Sequence, residues 1–338
     1  YPAMRRAVVL ALDFDGTLTA SDTLPAVVAA AAARRPSKLS HYPWCARKYA
    51  AVYADFAAKW QQEFDRTATA SPVYPRLLDE YLESLRPIEE GSLHCITKHR
   101  VLACAYRSDF AAAGRNAVLR PGAAYAVNGF LRDPNFHVCV ISANWSSDFI
   151  QGALEAARVG YRGRLPQIFS NDPEFSAYRR STGAIQRNVV VASDKAAALA
   201  KITDKVARKS GTQPAVVYAG DSLMDLPLLL RADLGLLVGH NEEVDAWCRR
   251  LGVQIGQPRY RGKVLHRLDS WHEARNMVDA WAGSVAPAPA GDAPPAVAGS
   301  HAHQSSRKPA DAKHAAGNPR PAKRKHPQKR RPPGRKHA

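Results

Sequence analysis

The sequence has no long apolar run and few cysteines. No stretch of about 18 consecutive apolar residues occurs, so a membrane-spanning helix is not expected. The five cysteines, at positions 45, 95, 104, 139 and 248, are odd in number, widely spaced and never form a CxxC pair. We therefore expect neither a disulfide framework nor a zinc site, and we expect a reducing compartment, the cytoplasm or the nucleus.

Large apolar side chains are almost missing from residues 286–338. This segment has one large aliphatic residue, Val297, and no aromatic residue, so it lacks the apolar surface to form a core. It holds twelve Lys and Arg against two Asp, so +10 of the chain's net charge of +18 belongs to it. We expect a disordered Ala/Pro-rich tail with a basic run, KRKHPQKRR, at 323–331. Such a run is usually solvated, and a nuclear-localisation or nucleic-acid role is a hypothesis from composition alone.

The first residues, YPAMRRAVV, begin without methionine and lack the hydrophobic region of a signal peptide, which is typical of a fragment or a trimmed product.

Residues 7–12 are apolar without polar alternation, as in a strand covered on both faces of a parallel α/β sheet. Asp13 and Asp15 follow directly, then Gly16 and Thr17. Because open α/β sheets bind ligands outside the carboxyl ends of their strands, these acids lie where chemistry is expected. The alternative is that D-x-D-G forms only a polar turn.

Residues 20–115 have the periodicity of helices. One apolar stripe at three- and four-residue steps comprises Tyr49, Val52, Tyr53, Phe56, Trp60 and Phe64. A second stripe, after prolines at 72 and 75, comprises Leu77, Leu78, Tyr81, Leu82 and Leu85. A further helix is expected over Leu93–Phe110. The aromatic residues suit packing better than a ligand-binding box, so we expect an all-helical insertion at 20–115 within a core formed by residues 1–19 and 116–285.

The pattern of strands and helices resumes near Arg120. Apolar runs predict strands at His137–Ile141, at a short segment ending near Ile168-Phe169, at Ala215–Ala219 and at Leu234–Val238. We expect Pro121-Gly122 to open a helix, Ser147 to cap a helix beginning at Asp148, and Asp194–Lys209 to be amphipathic. Strands that alternate with helices predict a doubly wound, parallel, Rossmann-like sheet of the α/β class.

Polar residues follow these strands in a recognisable order. D-F-D-G-T-L-T begins at Asp13, Ser142 closes the second strand, Lys195 lies in S-D-K at the start of a helix, and G-D-S-L-M-D holds Asp221 and Asp225. These four motifs resemble those of the haloacid dehalogenase (HAD) superfamily of phosphatases, over residues 7 to about 283. The helical insertion directly after the first strand resembles the C1 cap of that superfamily.

The resemblance implies a Mg²⁺-dependent phosphatase. Asp13 would be the nucleophile that forms an aspartyl-phosphate, and Asp15 would protonate the leaving alkoxide and then activate water. Hard cations take oxygen ligands, so Mg²⁺ would be held by Asp13, the backbone carbonyl of Asp15 and Asp221, with Asp225 further out or linked through water.

The resemblance also assigns the groups that bind the phosphoryl oxygens and the substrate. Ser142 and Lys195 would hold those oxygens, although each has a simpler interpretation, as a strand-end hydroxyl and an exposed helix lysine. Asp22-Thr23 resembles a Glu-Thr pair of phosphoserine-phosphatase-like members, whose acid contacts the substrate. The alternative is that Asp22 caps a helix beginning near Leu24.

We therefore expect a phosphomonoesterase that acts on a small phosphorylated metabolite and has no membrane partner. A non-catalytic binding protein with the same fold is a second hypothesis, although all the expected polar positions are intact. A third is a nucleic-acid-associated phosphatase docked through its basic tail. A large cap over the site suits small substrates better than the end of a polymer.

Overall fold

The computed structural model describes residues 6–67, 75–257 and 263–284, so the tail expected to be disordered lies outside it. The strands among these residues are β1 (Val8–Leu12), β2 (Phe136–Ile141), β3 (Gln167–Phe169), β4 (Asp172–Phe175), β5 (Ser181–Gln186), β6 (Ala215–Gly220), β7 (Leu234–Val238) and β8 (Val264–Leu268). Six of them form a parallel sheet in the order β3-β2-β1-β6-β7-β8, and β4 pairs with β5 as an antiparallel hairpin.

Helices cover this sheet and fill the insertion. In the described part of the chain they are α1 (Leu24–Ala32), α2 (His41–Thr67), α3 (Pro75–Ser84), α4 (Arg86–Lys98), α5 (Arg107–Gly114), α6 (Ala123–Arg132), α7 (Ser147–Ala156), α8 (Ala192–Ser210), α9 (Leu226–Arg231), α10 (Glu242–Arg250) and α11 (Trp271–Ser284). A 3₁₀ turn, Pro36–Lys38, lies between α1 and α2. None of the helices so described is long and apolar enough to cross a membrane.

The central strand β1 is buried on both faces. Val8, Leu10 and Leu12 join a hydrophobic cluster with α1, α5, α6, α7 and α11, whereas Val9 and Ala11 join a second cluster with α8, α9 and α10. Because helices cover both faces, the strand needs no polar alternation. The predicted doubly wound α/β fold is confirmed.

Part of the helical insertion packs on the helices that cover the second face of the sheet. Phe64 and Tyr81 contact Trp247 of α10, with ring centroids 4.9 and 5.2 Å apart. Both belong to the hydrophobic cluster that contains Val9 and Ala11 of β1. Within the predicted stripe of α2, Val52 is 43% exposed and does not pack inward. The insertion is therefore helical, as predicted, and it contributes side chains to the same core as the sheet.

A charged contact also joins the insertion to the first turn of α8. The Arg86 guanidinium donates to both carboxylate oxygens of Asp194, at 3.1 Å each, and to Ser193 Oγ at 2.9 Å. Asp194 Oδ2 in turn accepts from the backbone N–H groups of Val190 and Val191. Burial opposes the charge on Asp194, but its bonds to Arg86 and to this backbone outweigh that effect and lower its pKa.

The cysteines depart from expectation. Cys45 of α2 and Cys95 of α4 form a disulfide whose Cα atoms are 5.9 Å apart, a single bond that the expectation of no disulfide framework did not anticipate. The two residues are 50 positions apart in sequence, and only the packing of their helices brings them together. Cys139 and Cys248 are buried thiols outside this disulfide. Spacing alone therefore gives no basis for expecting a reducing compartment.

Several local boundaries differ from those predicted. The expected helix over Leu93–Phe110 is two helices, α4 and α5, because the chain turns between them and Cys104 adopts a φ of 77°. Gly122, with a φ of 82°, is the N-cap of α6, so Pro121 lies before the helix instead of inside it. The N-cap of α7 is Ser146, whose side chain accepts from the Phe149 N–H, and Ser147 is the first helical residue.

Candidate active site

The carboxyl ends of β1, β2 and β6 meet at one edge of the sheet, where they open into a cavity of about 300 Å³. Asp13 follows β1, Ser142 follows β2 and Asp221 follows β6, so the parallel register brings the three side chains to one place. The cavity lining includes Asp13, Asp15, Gly16, Asp22, Leu24, Ser142, Asn144, Val189, Val190, Val191, Lys195, Asp221, Ser222 and Met224. Six of the seven predicted site residues therefore line one cavity.

The seventh, Asp225, lies behind Lys195. The ammonium of Lys195 donates to Asp13 Oδ1 at 2.8 Å and to Asp225 Oδ1 at 2.7 Å. Asp225 is fully buried and also accepts from the Tyr218 hydroxyl at 2.8 Å and from the Ser222 hydroxyl at 2.7 Å. Lys195 is 4% exposed, so the interpretation of this residue as an exposed helix lysine is wrong.

These buried charges shift one another's pKa. Burial opposes the charge on Lys195, but Asp13 and Asp225 outweigh it and raise the lysine pKa. Burial also opposes the charge on Asp225, yet Lys195 outweighs it and lowers the pKa of that carboxyl. For Asp13, burial and the nearby Asp225 and Asp221 prevail over Lys195 and raise the pKa well above its usual value. One ammonium thus faces three carboxyl groups.

Asp221 is held against the loop that follows β1. Its Oδ1 accepts from the Thr17 hydroxyl at 2.7 Å, and its backbone carbonyl accepts from Asn241 at 3.1 Å. Burial and the nearby Asp225 raise the pKa of Asp221 to about 6. Gly16 has a φ of +75°, and a Cβ added there would lie 2.2 Å from Asp221 Oδ2. The loop can pass this carboxylate only because residue 16 has no side chain.

The Asp15 carboxylate is fixed by Thr23, a member of the predicted Asp22-Thr23 pair, and by Asn144, which no motif indicated. Its Oδ1 accepts from the Thr23 hydroxyl at 2.6 Å and the Thr23 N–H at 2.9 Å, and its Oδ2 accepts from Asn144 Nδ2 at 2.8 Å. The Asn144 amide also donates to Thr23 Oγ1 at 2.9 Å. Burial raises the pKa of Asp15, although these hydrogen bonds act against it. Asp15 is thus held at the junction between the core and α1.

Ser142 and Asp22 both line the cavity, but Ser142 is buried and Asp22 is exposed. Ser142 is 1% exposed, and its Oγ accepts from the backbone N–H of Asn144 at 3.1 Å. Asp22 is exposed to the cavity, and its Oδ1 accepts from the Leu24 N–H at 2.9 Å. The bond to Leu24 agrees with the interpretation of Asp22 as a helix-capping group, and the position in the lining leaves the carboxylate facing the cavity as well.

Three carboxylates form a group that fits a divalent cation. Ligand atoms of Asp13, Asp221 and Asp225 all lie within 4.8 Å of one another, and carboxylate oxygen is the donor that Mg²⁺ prefers. Lys195 offsets only one of the three negative charges when all are ionised. A divalent cation would offset the other two and favour the ionised forms of Asp13 and Asp221. The donor set and its charge therefore suit Mg²⁺.

Sequence reasoning missed the residues that support this site. Thr17 and Ser222 stand inside the recognised motifs, so their positions beside Asp221 and Asp225 could have drawn attention to them. Asn144 comes two residues after Ser142, and only the fold shows that its amide reaches Asp15. The apolar wall of Val189, Val190 and Val191 precedes α8, and no motif marks it.

Comparison with known proteins gives a curated relative, several solved structures and a family model. One curated relative is a bifunctional TH2 protein, mitochondrial, of Arabidopsis thaliana, 27% identical over 208 residues, which are 60% of this chain and 32% of that protein. The chain thus spans about a third of that relative's length. A substrate-bound phosphoserine phosphatase complex matches with a TM-score of 0.46 and 13% identity, covering 82% of this chain and 99% of that chain.

A HAD family hydrolase from Salmonella enterica serovar Typhi matches with a TM-score of 0.44 and 17% identity, covering 79% of this chain and 69% of that chain. The family model described as haloacid dehalogenase-like hydrolase matches residues 10–230, which include the cavity-lining motifs from Asp13 to Asp225. This match covers well over half of the chain. The chain therefore belongs to the haloacid dehalogenase-like hydrolase family.

Proposed function

We propose that the protein is a Mg²⁺-dependent phosphomonoesterase that works through an aspartyl-phosphate intermediate. One observation carries this proposal: Asp13, held by Lys195 at 2.8 Å, shares a cavity with a second acid, Asp15, whose orientation is fixed by hydrogen bonds. Membership of a hydrolase family agrees with it. A nucleophile and a separate acid–base group are the two protein functions that hydrolysis through a covalent intermediate requires.

Each residue has a separate role in this proposal. The Asp13 carboxylate attacks phosphorus, and the bond to the leaving oxygen breaks. Asp15 gives its proton to that oxygen, and the raised pKa of Asp15 favours the protonated form that this step needs. Asp15 then takes a proton from the water that hydrolyses the aspartyl-phosphate. Ser142 and Lys195 bind the phosphoryl oxygens by hydrogen bond and charge.

Asp13, Asp221 and the backbone carbonyl of Asp15 would hold Mg²⁺, with Asp225 behind them. When bound, Mg²⁺ offsets the negative charge of the phosphoryl group and of the attacking carboxylate. Asp225 contributes mainly through Lys195, because its oxygens already accept from Lys195, Tyr218 and Ser222.

The cavity supports a small phosphorylated metabolite as the substrate. A volume of about 300 Å³ is at the lower end of small-molecule sites. Beyond the catalytic groups the lining includes an apolar wall of Leu24, Met224 and the three valines at 189–191, and one further carboxylate, Asp22. The insertion at 20–115 acts as the specificity cap in this proposal, because Asp22 and Leu24 stand at its beginning.

The test is hydrolysis of an aryl phosphate by the full chain with and without Mg²⁺. Asp13→Asn should lower kcat by at least about 10³-fold, because it removes both the nucleophile and a metal ligand. Asp148→Asn is the matched control, since Asp148 is a partly buried acid paired with Arg107 outside the cavity. Turnover of Asp13→Asn close to wild type, with the fold intact, would refute the mechanism. A wild-type chain that binds inorganic phosphate without hydrolysing the ester would favour the non-catalytic alternative.

A further inference from the structure

Tyr218 is a fully buried tyrosine whose hydroxyl contacts Asp225 of the candidate site. It lies on β6 opposite Ala11 of β1, two residues before the end of the strand. Its hydroxyl donates to Asp225 Oδ1 at 2.8 Å. None of the roles assigned above uses it, and an apolar residue would fill the same place in a strand otherwise made of Ala, Val and Gly.

The acceptor of this hydrogen bond is shared with Lys195. Asp225 Oδ1 accepts both from Tyr218 at 2.8 Å and from Lys195 at 2.7 Å, whereas Asp225 Oδ2 accepts from Ser222. Lys195 divides its own hydrogen bonds between Asp225 and Asp13. Two donors on one oxygen compete for its electron density, so the phenol weakens the hold of Asp225 on the ammonium and fixes the plane of the carboxylate.

We propose that Tyr218 is a positioning residue that acts on Lys195 through Asp225. It sets the position of the Lys195 ammonium and how much of the charge of that ammonium is free to bind a phosphoryl group. The inference rests on the proposed function, because Lys195 is the phosphoryl-binding group there. Without the hydroxyl, Asp225 holds Lys195 more closely, and the ammonium moves away from Asp13 and the bound phosphoryl oxygens.

Tyr218→Phe in the full chain tests this, because it removes one oxygen atom and keeps the ring. Tyr81→Phe is the matched control: Tyr81 is also a buried tyrosine, 3% exposed, and its hydroxyl interacts with Tyr53 in the insertion, away from the cavity. Two measurements are made on each variant, the aryl phosphate kinetics with Mg²⁺ and the affinity for inorganic phosphate by calorimetry. Thermal unfolding shows that each variant is folded.

We expect kcat of Tyr218→Phe to fall about tenfold and its Kd for inorganic phosphate to rise several-fold, as for loss of a hydrogen bond to a charged group. Tyr81→Phe should change neither by more than about twofold, whatever its effect on Tm. Tyr218→4-aminophenylalanine, which keeps a donor at the same place, should restore both values. It also replaces Tyr218→Phe as the test variant if the latter does not fold.

The inference is wrong if Tyr218→Phe and Tyr81→Phe have the same kinetics and the same phosphate affinity as wild type, because the hydroxyl then only satisfies a buried acceptor. It is also wrong if the amino analogue folds and loses phosphate affinity, since a donor is then not what matters. The two proposals fail separately: a wild-type chain without turnover refutes the proposed function, whereas the phosphate-binding comparison still decides the role of Tyr218.

Discussion

Replacing Gly16 by alanine should disable the site through one methyl group. Gly16 has a φ of +75°, and a Cβ built there lies 2.2 Å from Asp221 Oδ2 and 2.7 Å from its Cγ. Atoms cannot approach so closely, and Asp221 cannot rotate away without breaking its 2.7 Å bond to Thr17. We expect Gly16→Ala to displace the Asp221 carboxylate from the group formed with Asp13.

Gly16→Ala should lower both the stability of the protein and its activity, for separate reasons. An L-residue in the left-handed region costs about 1–2 kcal/mol, which corresponds to a Tm loss of roughly 2–8 °C for a domain of this size. The overlap of the new Cβ with Asp221 also displaces that carboxylate, which is a proposed metal ligand. A misplacement of about 1 Å in a catalytic site can lower the rate about 10²-fold. The Mg²⁺ concentration for half-maximal activity should also rise, because one carboxylate ligand has moved.

Gly211→Ala separates these two costs. Gly211 ends α8 with a φ of +76°, and a Cβ there meets nothing within 4 Å. Both variants should therefore lose stability, but only Gly16→Ala should lose aryl phosphate turnover and Mg²⁺ response. If Gly16→Ala hydrolyses the ester like wild type at the same Mg²⁺ concentration, the proposed position of Asp221 in the chemistry is wrong.

Two further predictions concern the parts of the chain around the site. A truncated chain of residues 1–285 should keep kcat/KM for a small substrate within about tenfold of the full chain, because 286–338 has almost no large apolar side chains to pack on the core. A larger loss would make the tail part of the active unit. Asp22→Ala should lower kcat/KM for the preferred substrate far more than for an aryl phosphate, because Asp22 lines the cavity and has no role in the proposed chemistry. A panel of phosphorylated metabolites identifies the preferred substrate first. Equal losses on both substrates would mean that Asp22 serves the fold through its bond to Leu24 instead.

The sequence predicted the strands of apolar composition, and it missed those with polar composition. Residues 7–12 and 215–219 have no polar alternation because helices cover both faces of the sheet, and this gives a clear signal. β8 carries His266 and Arg267 at the edge of the sheet, and β5 reads STGAIQ in a hairpin. Neither has the composition that marks a buried strand, so pairing with neighbours decides their structure.

The site residues also fall into those that the sequence predicts and those that it does not. Asp13, Ser142 and Asp221 could be predicted to meet, because parallel strands bring their carboxyl ends to one edge. The contacts of Asn144 with Asp15 and of Tyr218 with Asp225 depend on side-chain directions that no spacing encodes. The disulfide between helices α2 and α4 was missed for the same reason.

The hydrogen bonds of Arg86 to the first turn of α8 affect how the helical insertion could be exchanged during evolution. Lys195 comes one residue after Asp194, so the helix that delivers the ammonium is braced by a residue of the insertion. Phe64 and Tyr81 also cover Trp247, which would be left bare if the insertion were removed. A transplanted insertion from another family member would need its own arginine at this place and its own aromatic cover. Substitutions around Asp22 and Leu24, by contrast, would leave the contacts of Arg86, Phe64 and Tyr81 with the core in place.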